Sequence, residues 1–457
     1  MLKNIIKVLL SNTVLATLGI LNGVLYPVLL SVNDYAYYQE YMLYIGYVNI
    51  CHLGVASGMF LNYAGKKHKD TDRAQYKSEI YLIYIILAVF SAVGLIFTGV
   101  QGDKLFLLVA LTIFPQCIIA SFQALYQAWE RFTAYSIVNT LPKVLFTICI
   151  VVAYLLFQSV SGSTLVIIYL IIMWTVSLYF VFEFTAFTKG VKHKKIFSKE
   201  NIHTTGNGFL ITLGNYVNLL FYSIDKQFVN ILYNTTSFAI YSFAMSLQSI
   251  MLIFITALAN PFYPRLARGD IDSEQIGLFK KMLFAFGAYS GCAYFAVSFF
   301  VKHFVTKYIL SLEVVAMFFA VFPAMAVINV LYINMYKIKK MLKKYIFTLV
   351  GMIGVSVMLN VISVLFHGDY IGISFATMVS YYIWLLYSQR DFVEISIEKR
   401  DYVYLFGYFA LYYLTIKIPY DFLGFFVYLV LITVWNLLMY REVIGFIKEY
   451  VIKLIRR

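Results

Sequence analysis

The sequence predicts an all-α polytopic membrane protein with about 14 transmembrane helices: two six-helix bundles in parallel pseudo-repeat plus two C-terminal helices. Three observations lead there. First, the chain is 62% hydrophobic and 13% charged, with mean hydropathy +0.80. A soluble domain carries about 25% charged residues and about 45–50% apolar ones, so this chain could not cover its apolar surface in water. Second, the apolar residues fall in long runs, and roughly 20 such residues cross a ~30 Å hydrocarbon core. Third, lysine and arginine fall almost entirely on every second linker.

In chain order, the runs place spans at about 8–30, 38–62, 79–100, 105–128, 134–157, 164–187, 207–231, 237–263, 276–300, 311–335, 345–366, 370–389, 402–418 and 421–440. No linker between them is long enough for a soluble domain. Lys3 and Lys7 precede the first run in the manner of a signal peptide. The apolar stretch continues past Tyr26 without a small-residue cleavage site, so a retained first span is expected. Of the 36 Lys and Arg residues, Lys104, Lys302, Lys307 and Lys417 fall on one side, and Lys143 and Lys226 fall inside spans. All the others lie on the opposite side, which the positive-inside rule makes cytoplasmic, with both termini. The net charge of +14 is thus topological and gives no reason to infer nucleic-acid binding.

The basic stretch after the sixth span reads as a linker. The expected organisation is residues 1–190 as a first bundle, 191–206 as a cytoplasmic linker and 207–390 as a second bundle. Residues 391–457 form two extra helices and a basic tail. Asp34-Tyr35-Ala36-Tyr37-Tyr38 after the first span is echoed by Ser237-Phe238-Ala239-Ile240-Tyr241 after the seventh. Six spans separate the echoes, so the two halves share one orientation. Pro27, Pro115, Pro142, Pro261 and Pro323 fall within spans. Each frees a carbonyl and bends its helix. Pro27, Pro142 and Pro261 are the candidate hinges, although proline is also ordinary in membrane helices.

Charges inside spans are expensive and point to function. Lys143 lies about ten residues, roughly 15 Å, into the fifth span, too deep for its stem to snorkel the whole way out. It meets either a water-filled cavity or a carboxylate. Asp225 and Lys226 sit near the outer end of the seventh span and point about 100° apart. Asp225 reads either as a coupling or gating carboxylate or as half of an ion pair locking two helices. Glu40, near the outer end of the second span, and Arg131 and Glu183, at inside ends, read as interfacial. His52 reads as a hydrogen-bonded core histidine. The 40 Tyr and 41 Phe suit interfacial belts and sugar stacking equally. Cys51, Cys117, Cys149 and Cys292 lie in apolar runs with no C-x-x-C pair, so neither a disulfide framework nor a metal site is indicated. No catalytic motif and no nucleotide-binding loop occurs. The chain reads as a non-enzyme without a bound cofactor, driven by an ion gradient (Na+ or H+), by the membrane potential or by consumption of its product.

Ser223-Ile224-Asp225-Lys226-Gln227-Phe228, Ala239-Ile240-Tyr241-Ser242 and Asn260-Pro261-Phe262-Tyr263-Pro264-Arg265-Leu266-Ala267 resemble the middle of bacterial polysaccharide exporters. These are the lipid-linked oligosaccharide (O-antigen or capsule) flippases of the multidrug/oligosaccharidyl-lipid/polysaccharide exporter superfamily. Ala239 stands where that family usually has glycine, and His52-Leu53-Gly54-Val55-Ala56 resembles its Leu-Gly-Leu motif. The resemblance implies a flippase in the bacterial inner membrane. It would carry undecaprenyl-diphosphate-linked oligosaccharide to the outer leaflet by alternating access, alongside the polymerase and glycosyltransferases of its pathway. Lys143, Lys226 and Arg131 would meet the diphosphate or anionic glycan. Asp225, and less directly Glu40, would couple or gate. A lipid II flippase, also with fourteen spans, and a cation-coupled multidrug antiporter are the alternatives.

Overall fold

The computed structural model describes residues 2–268 and 272–443, without the side chains of residues 2–10, 256–265, 267, 268, 273, 367 and 394. Every regular element in that range is helical. Ten helices are long and apolar enough to cross a membrane, or twelve if each of two sharply bent pairs is one span. The other two expected spans have helices that fall short of that standard. The seventh, Lys199–Leu232, carries Asn207, Asn215, Asn218, Asp225, Lys226 and Asn230. The thirteenth is only 17 residues long.

The chain divides into two compact units, residues 1–223 and 224–457. The divide falls inside the helix Lys199–Leu232. The first unit holds α1 (Leu2–Leu29), α2 (Val32–Val48), α3 (Val55–Tyr63), α4 (Arg73–Gln101), α5 (Lys104–Ala128), α6 (Phe132–Phe157), α7 (Gly162–Phe187) and most of α8 (Lys199–Leu232). Helix α5 is the centre of its packing, touching α4, α7, α3, α2 and α6. Its core is aromatic, with Tyr41, Tyr63, Tyr76, Phe122, Trp129 and Phe180 in one buried cluster.

Helices α2 and α3 form one span bent by 60°. The break is the Leu53-Gly54 pair, whose φ angles are 47° and 88°. Two consecutive left-handed residues end a helix, and glycine takes that conformation without a Cβ penalty. His52 closes the break: its Nδ1 accepts from the Gly54 N–H at 3.1 Å. The turned α3 then lies directly on α8. A Cβ at Gly58 would sit 2.0 Å from the Thr204 carbonyl oxygen, and one at Gly208 would sit 2.0 Å from the Gly54 carbonyl oxygen. Ser57–Thr212 and Asn62–Thr204 side-chain bonds, both 2.8 Å, flank this glycine seam.

The second unit begins with the end of α8. It continues with α9 (Thr235–Arg268), α10 (Ser273–Tyr289), α11 (Gly291–Phe304), α12 (Ser311–Ala320), α13 (Phe322–Ala326), α14 (Ile333–Ile338), α15 (Leu342–His367), α16 (Tyr370–Ser388), α17 (Lys399–Thr415) and α18 (Asp421–Met439). Residues Val327–Tyr332 are π-helical, so α12, α13 and α14 together make the tenth span, bent by 49° after α12. Pro323 lies at that bend and cannot donate to the Phe319 carbonyl one turn back. The Tyr408 hydroxyl donates there instead, at 3.0 Å, while Tyr382 donates to Ala320 O at 2.8 Å. In the first unit, Pro115 leaves the Leu111 carbonyl without its helical donor, and the Trp174 indole N–H supplies one at 3.1 Å. Breaks in a membrane helix survive when neighbours satisfy the freed groups. Tyr408→Phe should therefore lower stability by about 1–2 kcal/mol, read as the thermal midpoint of the purified protein, although no apolar contact is lost.

The last two helices are firmly joined to the second unit. Lys280 of α10 and Asp401 of α17 form a fully buried ion pair at 2.6 Å, and Tyr440 donates to Asp401 at 2.7 Å.

The expected hinges fare differently. Pro27 is buried two residues before the end of α1, and Pro142 is buried within α6. Neither interrupts its helix, and the two sharp bends lie at Leu53-Gly54 and beside Pro323. Pro261 falls where α9's side chains lie outside the described residues.

Candidate functional site

Lys143 sits at mid-length of α6. Its side chain is exposed, and it has no ion pair among the described residues. The lipid-type face of α6 consists of the exposed residues Ile137, Leu141, Leu145, Ile148 and Val152. At 100° per residue, Leu141 and Leu145 point about 160° away from Lys143. The lysine instead shares a face with Ser136, Asn139, Thr140 and Thr147. This polar stripe meets α1: Ser11 and Thr140 hydroxyls are 3.0 Å apart, and Asn22 Nδ2 donates to Thr147 Oγ1 at 3.0 Å. Thr147 also donates to the Lys143 carbonyl at 2.9 Å. The sequence reading missed Asn22, an isolated polar residue in the first apolar run.

Asp225 lies at the centre of a second polar site, confined to the second unit. It is 5% exposed. Asn360 Nδ2 and Ser356 Oγ of α15 donate to its Oδ1 at 2.8 and 3.2 Å. Thr377 Oγ1 of α16 donates to its Oδ2 at 2.7 Å. Asn360 Oδ1 is buried with no donor. No cation stands beside this carboxylate among the described residues, so of the two readings open to Asp225, the helix-locking ion pair is absent. A buried carboxylate held only by neutral donors carries a large desolvation cost when charged. Two carboxylate oxygens, two hydroxyls and an amide oxygen form a hard-oxygen set that suits a small hard cation or a proton.

The remaining candidates are placed as follows. Lys226 turns to α9, with its Nζ 5.4 Å from the Phe238 ring centroid. Arg131 is engaged locally: its guanidinium meets Glu183 at 3.2 Å and stacks over Tyr126 at 4.8 Å, while the Tyr126 hydroxyl also donates to Glu183. Glu40 is half-buried in the middle of α2. That helix starts at Val32, so Glu40 lies about 12 Å from the helix start. The structure does not bring Lys143, Arg131 and Glu40 into contact with one another.

The sequence matches no family model and no curated protein. Among solved structures, the chain is similar to the lipid II flippase MurJ in an inward-closed conformation. That match has a TM-score of 0.73 at 14% identity and covers 97% of this chain and 100% of the other. An outward-facing multidrug resistance MATE transporter of the MOP superfamily is more distant, with a TM-score of 0.44 at 14% identity over 85% and 94% of the two chains. The chain therefore shares the multi-pass helical fold of the first of these. Its particular form is MurJ-like through nearly the whole chain, including α17 and α18.

Proposed function

We propose that this protein is a flippase. It would carry an anionic, polyprenyl-diphosphate-linked oligosaccharide from the cytoplasmic to the outer leaflet of a bacterial inner membrane by alternating access, for export of surface polysaccharide. The observation that carries this reading is Lys143: an exposed lysine at mid-helix, opposite the apolar face of α6 and with no ion pair among the described residues. A charge turned toward hydrocarbon would be prohibitive, so this face belongs to a hydrated path. A fixed positive charge there suits a diphosphate, whereas a path for cationic drugs would present carboxylates. Ser136, Asn139, Thr140 and Thr147 extend the lysine into a hydrogen-bonding strip suited to an oxygen-rich head group. Lys226 is the secondary contact. Arg131, already balanced by Glu183, contributes least.

Asp225 is the coupling centre in this reading. Its donors Ser356, Asn360 and Thr377 come from two other helices, so loading the carboxylate with Na+ or H+ would tie α8 to α15 and α16. Asp225→Asn keeps the size and one acceptor but removes the charge. It should leave the protein folded while abolishing the dependence of transport on an imposed Na+ or pH gradient in proteoliposomes. Gradient-dependent transport at the wild-type rate by Asp225→Asn would rule this role out.

A second reading, flipping of lipid II itself, is favoured by the end-to-end likeness in fold to MurJ. Rescue of cells depleted of their lipid II flippase would select it. Rescue only of a strain lacking its surface-glycan flippase would select the first.

A further inference from the structure

Helix α8 is unbroken from Lys199 to Leu232, and the divide between the two compact units falls between Ser223 and Ile224. Two sets of hydrogen bonds engage it close to that point. Within the first unit, α2 grips α8 along one stripe. The Tyr47 ring stands edge-on to Tyr216, with centroids 6.1 Å apart. Gly46 faces Leu219, whose Cδ2 would lie 3.8 Å from an added Cβ. Tyr47 Oη donates to Ser223 Oγ at 2.9 Å. Positions 216, 219 and 223 recur at i, i+3 and i+7, so they share one helix face. Within the second unit, Asp225 takes the bonds from Ser356, Asn360 and Thr377. Ser223 and Asp225 are about 3 Å apart along the axis.

Ser223 is also a soft point in α8. Its Oγ donates to the Leu219 carbonyl at 2.8 Å, an oxygen that the helix already uses for the Ser223 N–H. A back-bond of this kind to residue i−4 loosens a turn and favours bending. Left free, the turn would absorb a movement of Asp225 before it reached the earlier part of α8. The Tyr47 phenol fixes the serine hydroxyl from outside and removes that slack.

We infer that Tyr47 is a positioning residue for ion coupling: its hydrogen bond to Ser223 stiffens the turn before Asp225, so that α8 transmits the occupancy of the carboxylate to α2. Tyr47 has this role only if Asp225 couples transport to an ion, as proposed above. Loading or unloading Asp225 rearranges its donors on α15 and α16 and moves its turn of α8. A stiff helix carries that movement onward; a helix bending at Ser223 does not.

The test follows a fluorescent polyprenyl-diphosphate-linked sugar carried by the full-length protein in proteoliposomes, with and without an imposed Na+ or pH gradient. The ratio of the two rates measures coupling. Tyr47→Phe loses only the hydroxyl. It should keep the gradient-free rate and lower the ratio about fivefold, the factor one hydrogen bond supplies. Ser223→Ala removes the back-bond and puts the best helix former at the soft point, so Tyr47→Phe/Ser223→Ala should recover the wild-type ratio. A role in stability alone predicts no such rescue. Ser223→Gly loses the same bonds but leaves the turn soft, and should lower the ratio as Tyr47→Phe does; the contrast between Ser223→Gly and Ser223→Ala decides the matter if Tyr47→Phe fails to fold. The inference is overturned if Tyr47→Phe or Ser223→Gly keeps the wild-type ratio, or if Ser223→Ala restores nothing. Asp225→Asn separates it from the reading beneath it. If Asp225→Asn keeps the wild-type ratio, both fall; if Asp225→Asn loses the ratio and Tyr47→Phe keeps it, only the role of Tyr47 falls.

Discussion

Lys143→Ala, present in the membrane at wild-type levels, is expected to lose transport by roughly 100-fold. That corresponds to about 3 kcal/mol for a charged contact to the bound substrate. Lys143→Arg should keep a substantial part, because it keeps the charge, although the planar guanidinium would sit differently against Thr140 and Thr147. Complementation of a flippase-deficient strain measures both. Stability should hardly change, since the side chain is exposed and unpaired, so loss of function with an unchanged thermal midpoint separates a substrate contact from a structural one. Full complementation by Lys143→Ala would remove the residue from the mechanism.

Gly208→Val should prevent the first unit from folding, or cost more than about 4 kcal/mol where folded protein can be recovered. A Cβ at this position would meet the Gly54 carbonyl oxygen at 2.0 Å and the Gly58 nitrogen at 2.2 Å. Both are backbone atoms, so no side chain can rotate away, and α3 and α8 would have to separate. The flanking Ser57–Thr212 and Asn62–Thr204 bonds would be lost with them. Gly277, where an added Cβ meets nothing within 4 Å, is the control: Gly277→Ala should be neutral or slightly stabilising. Yield of monodisperse protein and its thermal midpoint read both effects.

What the sequence discloses and what it hides have physical causes. Helices such as α4, α5, α6 and α7 are visible because solvation by lipid demands long apolar runs, and that demand is written locally. The depth of Lys143 follows from the same runs. Helix breaks are less visible. Proline marks the bend at Pro323, but Pro27 and Pro142 mark none, and the 60° bend falls on Leu53-Gly54, a dipeptide that looks like ordinary apolar sequence. The start of α2 at Val32 is hidden because Asp34, Gln39 and Glu40 dilute the apolar signal. The partners of Asp225 could not be read at all. They lie 131 to 152 residues away, and a serine, an asparagine and a threonine carry no signature that ties them to one carboxylate. Arg131 looked available for the same reason, since its counter-charge Glu183 is 52 positions away.

The abundance of tyrosine reads differently once its hydroxyls are located. Tyr408 and Tyr412 of α17 donate to the carbonyls of Phe319 and Ala316, and Tyr428 of α18 donates to the carbonyl of Ala288. Sequence counting places these two helices outside the two six-helix bundles. The hydroxyls say otherwise. Each lost donor to a buried carbonyl costs about 1–3 kcal/mol, so trimming the chain before α17 would remove the Tyr408 and Tyr412 donors from the kinked tenth span and leave Tyr382 alone at its bend. The bend beside Pro323 and the C-terminal pair are mechanically coupled, because hydroxyls of the second satisfy carbonyls of the first.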